Sequence, residues 1–271
     1  MLGHDVQRAA QAAGHEPIAV PRSSLDITDA HAVMNAVAAA DPDVVVNCAA
    51  WTDVDGAEAR PEDALAVNGA GAGHVAAAAL AAGAWTIHVS TDYVFDGSKS
   101  EPYVESDPVA PVSAYGRSKL AGEEAVTRAA PARHTVVRSS WLFGARGKCF
   151  PKTILRLAED RDSLSVVADQ VGCPTFTGHL GQALVELAET PRCGILHVAA
   201  GGACSWYEFA AAVVAAGGVR CEVRPIGTAD YPTPARRPAN SVLVSDRDAP
   251  RLPSWEDGLS AFLAERAEVA A

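Results

Sequence analysis

Short apolar runs alternate along this chain with alanine-rich stretches of helical period. The strand candidates are the apolar runs at 17–20, 44–48, 86–90, 134–138, 164–168 and 195–198. Apolar residues recur at helical spacing over 30–39, 61–82, 119–129 and 178–188. Strands that are apolar on both faces and separated by helices are typical of a parallel sheet covered on both sides. The pattern therefore predicts an α/β fold built on a doubly wound parallel sheet.

The start of the chain departs from that architecture. A doubly wound dinucleotide-binding domain of the Rossmann type opens with a strand, a glycine-rich turn and a helix that receives the pyrophosphate. This chain opens at the helix, with apolar residues at Leu2 and Val6, and Gly3 resembles the last glycine of such a turn. We expect a sheet that lacks its first strand, unpaired backbone on both neighbours of that strand, and a true N-terminus upstream of Met1.

The order of the elements also predicts two lobes. We expect residues 1–140 and about 175–200 to form the dinucleotide-binding domain, and about 141–174 with 201–271 to form a smaller C-terminal substrate lobe. Ligands of such sheets bind beyond the carboxyl ends of the strands. Ala49, Thr91 and Trp141 each follow or end a predicted strand at that edge.

Composition narrows the classes of function. The 271 residues are 49% hydrophobic, which is enough for a substantial core, and the net charge of −11 argues against nucleic-acid binding. The sequence has no N-terminal signal pattern, and its long apolar stretches are alanine-rich and helical. We therefore expect a cytoplasmic protein with neither a nucleic-acid nor a membrane partner.

Cysteines and histidines are scattered. The six cysteines form no CxxC pair, and His88 and His197 lie inside apolar runs. This pattern predicts reduced thiols, core histidines and no structural metal.

Tyr115 and Lys119 carry the most specific chemistry in the sequence. Residues four apart lie side by side on a helix, and a nearby ammonium group stabilises a tyrosinate anion. We therefore expect Lys119 to lower the pKa of Tyr115, which would make Tyr115 a proton donor to a carbonyl oxygen. Thr91, at the end of an apolar run, adds a hydroxyl to the same site. The alternative is a surface pair with a solvated lysine.

The wider context of these residues resembles a known family. An apolar run ending in Ser90-Thr91-Asp92, a polar loop and a YxxxK helix are similar to the extended, sugar-nucleotide branch of the short-chain dehydrogenase/reductases. A finer resemblance, to the dTDP-4-dehydrorhamnose reductase family, covers nearly the whole chain after its opening. Seven motifs carry it in order: DVVVNCAAWTDVDGAE at 43–58, AVN at 66–68, STDYVFDG at 90–97, AYGRSKLAGE at 114–123, RSSWLFG at 138–144, VVADQVGCPT at 166–175 and YPTPARRPANSVL at 231–243.

The resemblance implies a reduction in which Thr91, Tyr115 and Lys119 are the catalytic residues. The expected substrate is a dTDP-linked 4-keto-6-deoxyhexose, and the expected product is dTDP-L-rhamnose or a close relative. Two alternatives stay open. An epimerase or dehydratase would keep its nicotinamide bound and show no net oxidation, whereas a non-catalytic binding subunit would explain the missing glycine turn.

The resemblance also assigns residues to the cofactor. Arg22 lies where the adenosine ribose binds, and arginine suits a 2′-phosphate, which favours NADPH over NADH; an ordinary solvated loop is the alternative. Asp26 and Ile27 resemble an adenine-contacting pair, although Asp26 or Thr28 can equally cap the helix from Ala30. The remaining expected cofactor contacts are Gly3, Ala49, Ala50, Trp51, Tyr115 and Lys119.

Substrate contacts are expected at Thr91 and at four further positions. The resemblance places Trp141 at the sugar, with core packing as the alternative. Arg237, beside Arg236 and between prolines, suits a diphosphate, and the alternative is a solvated surface pair. Asp92 either contacts a sugar hydroxyl or caps the following loop, and Asn68 is either a substrate contact or a helix-packing amide.

Metal dependence and assembly are less defined in the sequence. Dimerisation assisted by a divalent ion such as Mg²⁺ is known in the family, but no residue cluster here assigns a site for it. A homodimer stays open as the assembly.

Overall fold

The computed structural model describes residues 1–270 as alternating helices and strands. The helices are α1 (Leu2–Ala12), α2 (Ala30–Ala40), α3 (Val54–Ala59), α4 (Pro61–Leu65), α5 (Ala72–Ala81), α6 (Ala114–Ala129), α7 (Phe150–Glu159), α8 (Thr177–Glu189), α9 (Trp206–Ala216) and α10 (Trp255–Ala270). The strands are β1 (Val44–Asn47), β2 (Trp85–Thr91), β3 (His134–Ser139), β4 (Leu142–Phe143), β5 (Ser163–Val167), β6 (Val171–Gly172), β7 (Thr175–Phe176), β8 (Gly194–His197), β9 (Cys204–Ser205) and β10 (Glu222–Ile226). Short 3-10 turns lie at Asp92–Val94 and Thr228–Asp230.

Four parallel strands form the central sheet, in the order β1-β2-β3-β8. On one face, Ile87, Val89 and Val137 pack in a cluster with residues of α1 and α8. On the other face, Val136 packs in a cluster with residues of α5 and α6. Helices therefore cover both faces of the sheet, which confirms the predicted doubly wound α/β fold.

The predicted strand at 17–20 is wrong. Ile18 and Val20 are 67% and 51% exposed, and within the described chain residues 17–20 form no backbone hydrogen bond. A strand needs a neighbour that pairs with its backbone groups, and β1 is at the sheet edge, paired with β2 alone. This open edge agrees with the expected unpaired backbone on β1.

A second region carries its own small sheets and core. The predicted strand at 164–168 exists as β5, but it pairs in parallel with β10 outside the central sheet. A separate core cluster contains Phe143, Leu155, Phe209 and Phe262. The division of the chain into two lobes at the expected boundaries stays a prediction.

The predicted helix at 61–82 is interrupted in its middle. Between α4 and α5, Ala66–Gly71 form a wider π-helical turn that contains Asn68. Pro61–Ala81 is the one described helical stretch long and apolar enough to cross a membrane, judged by length and composition, and half of its apolar window is buried in the fold. A Cβ on Gly122 would lie 2.1 Å from the Asn68 carbonyl oxygen, so the backbone of α6 packs directly on this turn.

Candidate active site

The first turn of α6 is fixed on several sides. The Ser113 hydroxyl caps the helix by accepting a hydrogen bond of 3.1 Å from the Gly116 amide, and Glu58 accepts one of 2.7 Å from the Ala114 amide. A Cβ on Gly116 would lie 2.2 Å from the Tyr93 carbonyl oxygen. The start of α6 therefore presses on the turn that follows Thr91, which brings Tyr115 to the carboxyl end of β2.

Tyr115 keeps its proton at neutral pH in this environment. Burial raises the pKa of Tyr115 to about 12; the Thr91 hydroxyl opposes that rise, whereas the negative charge of Asp92 adds to it. The Tyr115 ring packs edge-on against Tyr93, with 5.8 Å between ring centroids. The pKa of Tyr115 is therefore raised in this structure, because loss of water has the largest effect, and a lowering contribution from Lys119 stays a prediction.

Lys119 is buried beneath the sheet edge. Its Nζ donates a hydrogen bond of 2.7 Å to the Val89 carbonyl oxygen, two residues before Thr91. Burial lowers the pKa of Lys119 to about 8, while Glu123 and Cys48 act in the opposite direction. The alternative of a solvated surface lysine is excluded by this burial.

Thr91 and Asp92 form a buried hydroxyl and carboxyl pair. Thr91 Oγ1 accepts a hydrogen bond from the Tyr93 amide and donates one of 3.1 Å to Asp92 Oδ1. Ser140 donates to the other carboxyl oxygen at 3.3 Å. Burial raises the pKa of Asp92 to about 6, against the effect of its hydrogen bonds. Thr91, rather than Asp92, caps the short turn that follows.

The segment after β1 is ordered by two asparagines. Asn47 accepts a hydrogen bond of 3.0 Å from the Ala49 amide, and its amide nitrogen contacts His88 Nδ1 at 3.1 Å. Asn68 accepts one of 2.8 Å from the Trp51 amide. These bonds hold Ala49, Ala50 and Trp51 at the carboxyl end of β1, where cofactor contacts were expected.

Asn68 uses all its polar groups on the protein. Besides accepting from the Trp51 amide, its Nδ2 donates to the Trp51 carbonyl oxygen at 3.0 Å and to Ser118 Oγ at 2.9 Å. The side chain is 1% exposed. This geometry supports the interpretation of Asn68 as a packing amide over that of a substrate contact.

The expected adenosine contacts lie near the exposed N-terminal segment. Arg22 is exposed, and Asp26 accepts hydrogen bonds from the amide and hydroxyl of Thr28, which lower its pKa. Asp29 caps α2 by accepting from two amides, so the alternative that Asp26 or Thr28 is the cap is wrong. Ile27 is half-buried and packs in the cluster of Val33, Val37, Val75 and Ala78.

Gly3 is exposed at the start of α1. A Cβ placed on it would lie 3.7 Å from Cys48 Cβ, an ordinary van der Waals distance. The protein itself therefore has room for a side chain at this position. Any need for glycine there depends on a bound group rather than on packing.

Trp141 stacks on a second tryptophan. Its indole lies parallel to that of Trp206, with 3.5 Å between centroids and 3° between planes. Trp141 has a φ of +48°, and a Cβ on Gly172 would lie 2.5 Å from its ring. Since Trp206 covers one face of the Trp141 indole, the alternative of core packing holds for that face. The sequence interpretation did not identify Trp206.

Arg237 forms an ion pair with Asp55 of α3. Its guanidinium nitrogens donate at 3.2 and 2.8 Å to the two Asp55 oxygens, and the Ala235 amide adds a third bond. Burial acts in the opposite direction, but these bonds hold the pKa of Asp55 below its usual value. Arg237 is thus a paired, half-buried residue, whereas the adjacent Arg236 is exposed.

Comparison with known proteins then decides the family. The model described as RmlD substrate binding domain matches residues 1–268. The chain belongs to this family.

Similar proteins include a dTDP-4-dehydrorhamnose reductase of Mycolicibacterium smegmatis, 45% identical over 96% of this chain and 81% of that protein. The spore coat polysaccharide biosynthesis protein SpsK of Bacillus subtilis is 39% identical over 98% of this chain and 94% of its own length. A crystal structure of dTDP-4-dehydrorhamnose reductase from Bacillus anthracis in complex with NADP has a TM-score of 0.94 at 36% identity, covering 97% of this chain and 95% of that one.

The described residues of this chain form no metal centre at the candidate active site. Residues 1–267 contain no group of three or more His, Cys, Asp or Glu side chains placed to hold a metal ion. The suggestion of a Mg²⁺ site therefore has no support in this geometry.

Proposed function

We propose that this protein catalyses the NADPH-dependent reduction of dTDP-4-dehydro-6-deoxy-L-mannose (dTDP-4-dehydrorhamnose) to dTDP-L-rhamnose. The observation that carries the proposal is the position of Tyr115, on the first turn of α6 and packed on the turn that follows Thr91 at the carboxyl end of β2. It occurs in a chain whose relatives of similar length are named as this reductase. Reduction of a ketone needs a proton for the new alkoxide, and a phenol that keeps its proton at neutral pH can supply it.

The residues present fit a nicotinamide dinucleotide. The small Ala49 and Ala50 at the end of β1 allow close approach of a nucleotide, and the buried ammonium of Lys119 lies under the same sheet edge. Arg22 is exposed and has no hydrogen-bond partner among residues 1–267, which leaves its guanidinium for a 2′-phosphate. When bound, NADPH supplies the hydride. These features, with the NADP complex of the relative, support NADPH over NADH.

Tyr115 and Thr91 are assigned to the carbonyl oxygen. Tyr115 gives its proton as negative charge develops on that oxygen, and Thr91 hydrogen-bonds the same atom. In this structure the Thr91 hydroxyl donates to Asp92 Oδ1 at 3.1 Å, so a bond from Thr91 to the substrate carbonyl would replace the bond to Asp92. Lys119 would hold hydroxyls of the cofactor ribose when the cofactor is bound, and its ammonium group would contribute positive charge near the Tyr115 phenolate.

Binding of the dTDP part is assigned to the basic element between prolines. Arg236 is exposed and can meet a diphosphate directly. The guanidinium group of Arg237 already binds the Asp55 carboxylate. A phosphate can therefore contact Arg237 only by displacing that carboxylate. Trp141, half-exposed in its stack, is assigned to the sugar. A cytoplasmic location and a homodimer stay predictions.

Product analysis tests the proposed reaction. Purified protein is incubated with NADPH and the 4-keto sugar nucleotide, with Tyr115→Phe as the control. We expect one NADPH oxidised for each dTDP-L-rhamnose formed, and little product from the control. Tight retention of a nicotinamide with no net oxidation would identify an epimerase instead, and a product with another configuration at C4 would change the product assignment.

A further inference from the structure

A fully buried ion pair lies beneath the candidate active site. Arg138 of β3 and Glu123 of α6 are 2% and 3% exposed. The Arg138 Nε and Nη2 donate to the two Glu123 carboxyl oxygens at 2.9 and 2.7 Å, a fork geometry that fixes both direction and distance. Neither side chain has a role in the proton transfer described above.

The same carboxylate also holds β2. Ser90 Oγ donates a hydrogen bond of 2.5 Å to Glu123 Oε1, and Ser90 is the residue directly before Thr91. In the β2 and β3 register, Ser90 lies opposite Arg138, and Thr91 lies opposite Ser139. Glu123 therefore bonds to the carboxyl ends of both β2 and β3, which lie directly below the candidate active site.

On α6, Glu123 shares one face with the catalytic residues. Tyr115, Lys119 and Glu123 are spaced at four-residue intervals. Lys119 binds the Val89 carbonyl and Glu123 binds the Ser90 hydroxyl, so two successive residues of β2 are attached to two successive turns of α6. Any slide of the helix along the strand must break both attachments.

The outer side of Arg138 is closed as well. Its Nη1 contacts His197 Nε2 at 3.4 Å, and the Phe95 ring lies 5.1 Å from its guanidinium carbon. His197 Nδ1 lies 3.0 Å from the Val244 carbonyl oxygen, so Nδ1 carries the ring proton and Nε2 accepts from Arg138. Contacts on the Glu123 side and on the Arg138 side therefore restrain the ion pair.

We infer that Glu123 and Arg138 are positioning residues that set the distance between the Thr91 hydroxyl and the Tyr115 phenol. The inference rests on the proposed function, because the reaction defines the oxygen that both groups must reach. A buried ion pair contributes little net stability compared with apolar residues of similar size. Its effect is to fix the register between α6 and the ends of β2 and β3.

The test compares variants that remove different numbers of the contacts among Ser90, Glu123 and Arg138. Ser90→Ala removes the bond to β2 and leaves the ion pair intact. The double variant Glu123→Leu/Arg138→Met removes both buried charges without leaving either one unpaired. The control is Glu265→Gln, which removes the carboxylate that pairs with Arg8 between α10 and α1, with bonds of 2.9 and 3.1 Å.

We expect kcat to fall about 10- to 100-fold in the double variant and roughly threefold in Ser90→Ala, since small displacements of reacting groups cost rate steeply. KM for the sugar nucleotide and for NADPH should change less than about twofold, because neither residue contacts a ligand. The control should keep the wild-type kcat. Circular dichroism establishes that each variant is folded.

A change in the pH dependence separates positioning from general stability. Lys119 faces Glu123 on its own helix, Cys48 after β1 and His88 on β2, and Glu123 raises its pKa. The double variant should therefore move the alkaline limb of the kcat profile to lower pH, while the control should not. A folded double variant with wild-type kcat and profile would overturn the inference.

Other outcomes are also decisive. If the double variant does not fold, Ser90→Ala decides: a wild-type kcat would refute the positioning role, and a lower kcat with unchanged KM would support it. A wild-type protein that does not oxidise NADPH with the keto sugar would refute the proposed function itself. If the wild-type protein is active but the variants have the wild-type kcat, the positioning role is refuted and the proposed function stands.

Discussion

Replacing Asn68 by alanine removes three buried hydrogen bonds at once. Two join the side chain to the Trp51 backbone and one to the Ser118 hydroxyl. Each such bond contributes about 0.5–1.5 kcal/mol net, so we expect the free energy of unfolding to fall by about 3 kcal/mol. Urea unfolding monitored by circular dichroism measures this loss as a lower midpoint at constant m value.

Ser118→Ala is the matched control for Asn68→Ala. It removes one of the three bonds of Asn68 and also the bond of 2.7 Å that the Ser118 hydroxyl donates to the Tyr115 carbonyl oxygen, so the expected loss is about 2 kcal/mol. Asn68→Ala should also weaken NADPH binding, because the Trp51 backbone lies next to the expected cofactor contacts. If Asn68→Ala unfolds like the wild type but raises KM for the sugar nucleotide, Asn68 is a substrate contact and the packing interpretation fails.

Three further predictions concern the site. Tyr115→Phe should lower kcat about 10²- to 10⁴-fold with little change in KM, measured by steady-state kinetics. Because burial lowers the folded pKa of Lys119 from 10.5 to about 8, the unfolded chain holds the Lys119 proton more tightly between these values, so Lys119 contributes a rise of stability with pH there; the free energy of unfolding of the wild type minus that of Lys119→Met should therefore increase from pH 8 to pH 10. Trp206→Leu should remove the indole stacked 3.5 Å from that of Trp141 and lower the free energy of unfolding, measured in urea, whereas unchanged stability contradicts the stack.

Local sequence patterns were sufficient to predict the central strands and helix α6. Strands β1, β2, β3 and β8 are apolar runs buried by helices on both faces, so their pattern identifies them without knowledge of partners. The run at 17–20 has a similar composition but no strand beside it. Pairing is a property of the assembled sheet, and composition alone does not contain it.

Energetic effects that depend on burial were harder to predict. The four-residue spacing placed Tyr115 and Lys119 on one helix face, but the direction of the pKa change of Tyr115 depends on how much water the fold removes. Arg237 was expected to be free for a phosphate, whereas Asp55, 182 residues away in sequence, occupies its fork. Contacts of such sequence separation leave no local pattern.

Transfer of an isotopic label from cofactor to sugar tests the central claim most directly. NADPH carrying deuterium at the transferable C4 position is incubated with the wild-type protein and dTDP-4-dehydro-6-deoxy-L-mannose, and the product is analysed by NMR and mass spectrometry. The proposed reduction predicts one deuterium at C4 of the sugar in dTDP-L-rhamnose for each NADPH oxidised. An unlabelled sugar, or a sugar changed without oxidation of NADPH, would contradict it.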